Sequence, residues 1–101
     1  MSMLNKLQEL QEKMGKIQEE IGHMQATGES GGGVVKATAN GRQQILKIEI
    51  AKEVVDPNEI GMLEDLVVAA VNKAIERTKE MAEQHMAEAT RGMLPPGFPG
   101  V

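Results

Sequence analysis

Seven apolar residues near the start of the chain, Met3, Leu7, Leu10, Met14, Ile17, Ile21 and Met24, follow one another at alternating steps of four and three. That is a heptad seam, narrower than the stripe of a helix lying on a globular core. A helix over residues 3–25 would be about 34 Å long. So thin an apolar face is buried only lengthwise, against another long helix. Leu7, Met14 and Ile21 take the a positions, and the other four take d. Lys6 and Lys13 fall at g, beside the seam. Glu9–Lys13 and Glu12–Lys16 stand in the favoured i,i+4 order. Gly15 and Gly22 share an outer b strip, where each costs about 1 kcal/mol of helix propensity relative to Ala. They are either simply tolerated there or admit a close neighbour.

The second half of the chain supplies a partner helix. Asp56 suits an N-cap, Pro57 the first helical position, and Glu59 the far side of a capping box. The pattern predicts a helix from Pro57 to Arg91, about 52 Å if unbroken. From Met62 to Ile75 it is apolar nearly all round. Beyond that, Ala74, Thr78, Met81, Ala82, His85 and Ala89 leave a narrow small-residue stripe that suits the first helix's seam. Gly92 stops the helix. Residues 93–101 form a flexible Pro/Gly-rich tail that cannot be helical. Residues 1–92 therefore read as one domain.

Between the helices lies a glycine-rich turn, Gly28 to Gly33. It lacks the Lys-Ser/Thr of a phosphate loop, so its glycines serve backbone angles. Asn40-Gly41, a preferred type I′ pair, separates strands over 34–39 and 42–50. That turn predicts Ala39 opposite Arg42, Ala37 opposite Gln44 and Val35 opposite Leu46. Ile48 and Ile50 join the same apolar face, and the opposite face is mixed polar. Residues 26–30 add a short third strand. The class is α+β, with two long helices on a small antiparallel sheet. One apolar sheet face does not cover the all-round apolar stretch 62–75, so a symmetric homodimer is expected.

Composition excludes several functions. The chain has 101 residues and no cysteine, hence no disulfide framework and no thiolate zinc site. Its one aromatic residue, Phe98, offers no stacking platform for bases. No apolar run is long enough to span a membrane and no signal-peptide pattern is present, so cytoplasmic residence without a membrane is expected. Ser2, Ser30, His23 and His85 make no catalytic dyad. His85 and Glu88 are spaced i,i+3 as in di-iron bundles, but the companion glutamates are missing. No catalytic residue, metal, cofactor or small-molecule substrate is expected.

Net charge is −4, which by itself disfavours nucleic acid. A local basic patch remains compatible with phosphate binding, because charges beyond about 8 Å are screened. The candidates are Lys6, Lys13 and Lys16 on the first helix, Arg42 in the hairpin, and Lys73 with Arg77 on the second helix. Lys73 and Arg77 place two like charges on one ridge, a small cost that either an anion or Glu76 offsets. For each of them, a solvated surface charge is the plain alternative; Lys6 and Lys13 also have Glu80, Glu83 or Glu88 as pairing partners across the seam.

Four segments, LQELQEKMGKIQEEI at 7–21, TGESGGGVVKATANG at 27–41, MLEDLVVAAVNKA at 62–74 and GMLPPGF at 92–98, resemble the YbaB/EbfC family of bacterial nucleoid-associated proteins, in the same order. The resemblance implies an α-β-β-β-α protomer, a tweezer-like homodimer with projecting helices, binding to double-stranded DNA that alters its conformation, and a place in the cytoplasm and nucleoid with effects on gene expression. It carries no catalytic motif and no fixed set of DNA-contacting residues. A different reading of the same helices, methionines and acidic surface is a protein-interaction scaffold or chaperone-like clamp.

Overall fold

The computed structural model describes residues 2–91. Helix α1 (Ser2–His23) leads into strands β1 (Gln25–Ser30), β2 (Val35–Asn40) and β3 (Ile45–Ile50). A short 3-10 turn at Lys52–Val54 precedes the long helix α2 (Ile60–Thr90). The α-β-β-β-α order and the third strand are as expected from the sequence. Gly92 and the 93–101 tail lie outside the described residues.

The sheet is antiparallel in the order β1-β2-β3. Three consecutive left-handed glycines, Gly31, Gly32 and Gly33 (φ 60°, 75° and 99°), turn the chain from β1 into β2, a path costly for residues with a Cβ. Helix α2 lies across β1 and β2. Val35, Ala37 and Ala39 of β2 and Ala70 and Ala74 of α2 are fully buried between them. Small residues at this layer let backbones approach closely. A Cβ on Gly28 of β1 would come within 2.3 Å of the Ala74 nitrogen and 2.4 Å of the Ala70 oxygen. Ser30 adds a polar tie, its hydroxyl donating to the Leu66 carbonyl at 2.6 Å.

The hairpin departs from the predicted turn. Val35 faces Ile50, Ala37 faces Ile48 and Thr38 faces Lys47, with a bulge before Ala39–Ile45. The pairing is shifted by four residues from the one a two-residue Asn40-Gly41 turn imposes. The left-handed residue is Gln43 (φ 62°), not Asn40 or Gly41. The cause is the Asn40 side chain. Its Oδ1 accepts from the amides of Arg42 at 2.9 Å and Gln44 at 3.1 Å, and its Nδ2 donates to Gln44 Oε1 at 2.9 Å. That net wraps a longer loop around Asn40. The shift is even, so Ile48 and Ile50 keep their predicted face. Gly41 is needed for another reason: its Cβ would fall 1.8 Å from the Ile21 carbonyl oxygen. Its amide donates to Met24 O at 3.0 Å.

Helix α2 starts three residues later than predicted. Asp56 Oδ1 accepts from the Asn58 amide at 2.9 Å and Asp56 O from that of Glu59 at 2.9 Å. Asp56 thus closes a turn over Pro57-Asn58, and Glu59 is the residue at the helix's N-cap.

The seam of α1 is the largest departure. Its exposure rises stepwise toward the N-terminus: Ile17 7 %, Leu10 37 %, Leu7 54 % and Met3 77 %. Met14, Ile17, Ile21 and Met24 are buried or half-buried while Met3, Leu7 and Leu10 are open, so the full-length zip onto α2 is not formed within the protomer. The reason is geometric. Ser30 meets Leu66, Gly28 meets Ala74, Thr27 meets Arg77 and Glu20 meets His85, so α1 and β1 run antiparallel to α2 as one rod. Counted from the Glu20–His85 contact, Thr90 lies opposite Gly15. Helix α2 ends there, and the first half of α1 projects beyond it. The described chain is accordingly 69 Å long and 23 by 15 Å across. No helix among the described residues is long and apolar enough to cross a membrane.

Candidate nucleic-acid interface

The six predicted basic residues are strung along the length of this rod, not gathered in one patch. Lys6, Lys13 and Lys16 are exposed on α1. Lys6 and Lys13, seven residues apart, share a face; Lys16 is displaced from them by most of a right angle. A cleft of about 380 Å³ is lined by Glu9, Glu12, Lys13, Lys16 and Glu19, so acids are interleaved with two of the lysines. None of the three ion pairs among the described residues involves a lysine of α1. The pairings proposed from sequence with Glu80, Glu83 or Glu88 are therefore not formed.

Arg42 sits in the β2–β3 loop and lies over the last turn of α1. A Cβ on the buried Gly22 would be 3.0 Å from its Nε, so the glycine on that outer strip makes room for a guanidinium. Gly15, on the same strip, has nothing within 4 Å and is merely tolerated. Lys73 and Arg77 are exposed on α2 alongside β1. Arg77 donates through Nη1 to the Thr27 carbonyl. That bond holds the guanidinium at the open edge of β1, with donors to spare for an anion. The structure thus gives Arg42 and Arg77 a packing role as well, a fact with no signal in the sequence beyond the charge. Lys79, outside the predicted set, borders a cleft of about 190 Å³ with Gly41, Gln43 and Glu83; only the turn's true shape brings it beside the hairpin.

The two histidines differ. His23 is exposed at the end of α1, and His85 bridges the helices, its Nε2 2.8 Å from Glu20 Oε2. Among the described residues no group of three His, Asp or Glu side chains is placed to hold a metal ion. The outer sheet face carries a ladder of alternating charge. Lys47 lies 2.9 Å from Glu49 and Lys36 4.0 Å from Glu29. The hydrogen bond and charge of Lys47, with a smaller contribution from Lys36, hold the Glu49 carboxyl below its ordinary pKa. The positive charge of Lys47 is largely answered locally, which disfavours this face as an anion surface.

Comparison with known proteins places the chain. The model of the YbaB/EbfC DNA-binding family matches residues 1–93. A nucleoid-associated protein of Caldanaerobacter subterraneus is 46 % identical over 97 residues, covering 96 % of this chain and 87 % of the relative. One of Thermoanaerobacter pseudethanolicus is 44 % identical, with the same coverage. Among solved structures, an uncharacterised Helicobacter pylori protein superposes with a TM-score of 0.59 at 18 % identity, over 87 % of this chain and 98 % of that one; at that identity the likeness speaks for the fold alone. Across fold, motif order and relatives, the conclusion is that this chain belongs to the YbaB/EbfC DNA-binding family.

Proposed function

We propose that this protein is a non-enzymatic, nucleoid-associated protein of the bacterial cytoplasm that binds double-stranded DNA as a homodimer and alters its conformation. The observation that carries the DNA reading is the family match along nearly the whole chain. The dimer reading is supported by β3. Helix α2 leaves this strand uncovered, so that Ile45, Leu46, Ile48 and Ile50 are 36–48 % exposed. Ile60, Met62 and Val68 at the start of α2 are also open, at 47–58 %. An open edge strand with an apolar face is a liability that a second copy removes. A twofold joining two β3 strands would leave both α1 stems projecting.

In that dimer each stem presents Lys6, Lys13 and Lys16, and Arg42, Lys73 and Arg77 continue the line. Spaced cations along a rod suit successive backbone phosphates, which position a protein without reading sequence. No cofactor takes part. The exposed Gln8, Gln11 and Gln18 are available to base edges.

The test is charge reversal on the stem, Lys13→Glu with Lys16→Glu, in a mobility-shift assay with duplex DNA, single strands and a polyanion control. The expected result is weakened duplex binding by a protein that still folds and dimerises. Unchanged binding would remove α1 from the interface. Equal binding to the polyanion would reduce the activity to generic charge attraction.

A further inference from the structure

Two thioethers and an imidazole come together between the packed end of α1 and α2. Counted from the Glu20–His85 contact, the next rung of the antiparallel pair sets Met24 opposite Met81. Met24, Met81 and His85 are half-buried. They line one cleft of about 180 Å³, together with the exposed Gln84 and Glu88. At about 30 Å³ per water, that space holds one ion and a few waters.

His85 is oriented for ligation. Its Nε2 lies 2.8 Å from Glu20 Oε2. An ionised carboxylate only accepts, so Nε2 donates, and in the neutral ring Nδ1 keeps the free lone pair. A carboxylate behind the imidazole is the usual support of a metal-ligating histidine; it fixes the tautomer and makes the free nitrogen more basic. The other donors decide the ion. Thioethers are soft ligands that select Cu(I), whereas Mg²⁺ and Ca²⁺ take oxygen donors and zinc takes thiolate, imidazole or carboxylate. Glu20 behind the ring and Glu88 on the cleft wall bring negative charge that a monovalent cation offsets. Leucines would pack these two positions as well as methionines do; two sulfurs beside an oriented imidazole add donor atoms that packing does not need.

We propose that Met24, Met81 and His85 form a site for a soft monovalent cation, Cu(I), with the two Sδ atoms and His85 Nδ1 as ligands and Glu20 supporting the ring. Bound there, the ion ties the end of α1 to α2. The site shares no residue with the six candidate DNA-contacting cations, so it stands apart from the DNA reading.

The experiment titrates the full chain with Ag(I), a redox-inert stand-in, in chloride-free buffer, and with Cu(I) under anaerobic conditions. Isotope-labelled methionine methyl groups and the His85 ring are followed by magnetic resonance. Of the eight methionines, Met24 and Met81 are expected to shift and to saturate at one ion per chain, together with the His85 ring. Met24→Leu with Met81→Leu, a swap that keeps side-chain volume and fold, is expected to abolish the saturable shift of that ring. Glu20→Gln leaves all three ligands in place and is expected to weaken binding by about tenfold. Absence of a saturable shift would overturn the proposal, as would unchanged affinity in the double leucine variant. Shifts that simply follow exposure, largest at the open thioethers of Met3 and Met62, would show adventitious binding and overturn it too.

Discussion

Gly28→Ala tests the packing of β1 on α2, the contact on which the layered core depends. The substitution adds one methyl group. Gly28 is not in a left-handed conformation, so its backbone accepts alanine without strain. Free of neighbours, the change would stabilise by about 0.4–1 kcal/mol through the unfolded state. The neighbours here are backbone atoms, the Ala74 nitrogen at 2.3 Å, the Ala70 oxygen at 2.4 Å and the Lys73 carbonyl carbon at 2.8 Å. No side chain can rotate away. Restoring ordinary contact distances requires strand and helix to part by about 1 Å, and a gap of that size forfeits a quarter to a half of each dispersion contact it opens. Val35, Ala37, Ala39, Ala70 and Ala74 all sit in that layer. Overpacking into a core costs about 1–3 kcal/mol, and with backbone on both sides the upper end applies. We expect a loss of about 3 kcal/mol, a fall in Tm of roughly 12–24 °C for a domain of this size. The assay is thermal and urea unfolding at fixed protein concentration, since dimerisation would make Tm concentration-dependent. The matched control is Gly15→Ala, where nothing lies within 4 Å; there the same methyl should stabilise by up to about 1 kcal/mol. Gly28→Ala within about 0.5 kcal/mol of wild type would refute the reasoning, because it would mean that β1 and α2 do not touch as described.

Other substitutions probe the remaining contacts. Gly41→Ala drives a methyl into the Ile21 carbonyl oxygen and should cost about 2 kcal/mol, with amide exchange rising first at the C-terminal turn of α1. Ile48→Glu on β3 should shift the light-scattering mass from about twice the 10.9 kDa chain mass to the chain mass itself, with the helical circular dichroism retained; a mass unchanged by the variant would move the dimer contact away from β3. Lys47→Ala should raise the Glu49 pKa toward the ordinary carboxylate range, checked by carbon-detected titration. Because the folded value is lowered, this interaction is present above the ordinary range and lost as pH falls through the folded value. With side chains 66 % and 52 % exposed, the pair should hardly change the melting temperature.

The order of elements and the faces of the strands were legible because periodicity records burial directly. Residues 35, 37, 48 and 50 alternate with polar neighbours, and they share one face of the sheet whatever the loop does. The register was not legible. Asn-Gly is a strong turn signal, but the Asn40 side chain has its own use for the amides of Arg42 and Gln44, and it wins. Asp56 misled in the same way, spending its side chain on a turn before the helix. The heptad pattern marked the apolar face of α1, but the expected lengthwise cover by α2 is formed only toward the C-terminal end of α1; where α2 stops relative to the seam depends on how β1 sets the stagger of the two helices, which no local pattern encodes. Gly22, Gly28 and Gly41 show the other limit. Their need for an absent side chain comes from residues far along the chain. For the candidate site, charge located the six basic residues but not their neighbours, so the packing roles of Arg42 and Arg77 emerge only from the fold.

The salt dependence of duplex binding tests the proposed grip of a dimer on backbone phosphates most directly. With about five phosphate contacts, the logarithm of the affinity should fall against the logarithm of salt concentration with a slope near −4.5. A flat response would contradict phosphate gripping.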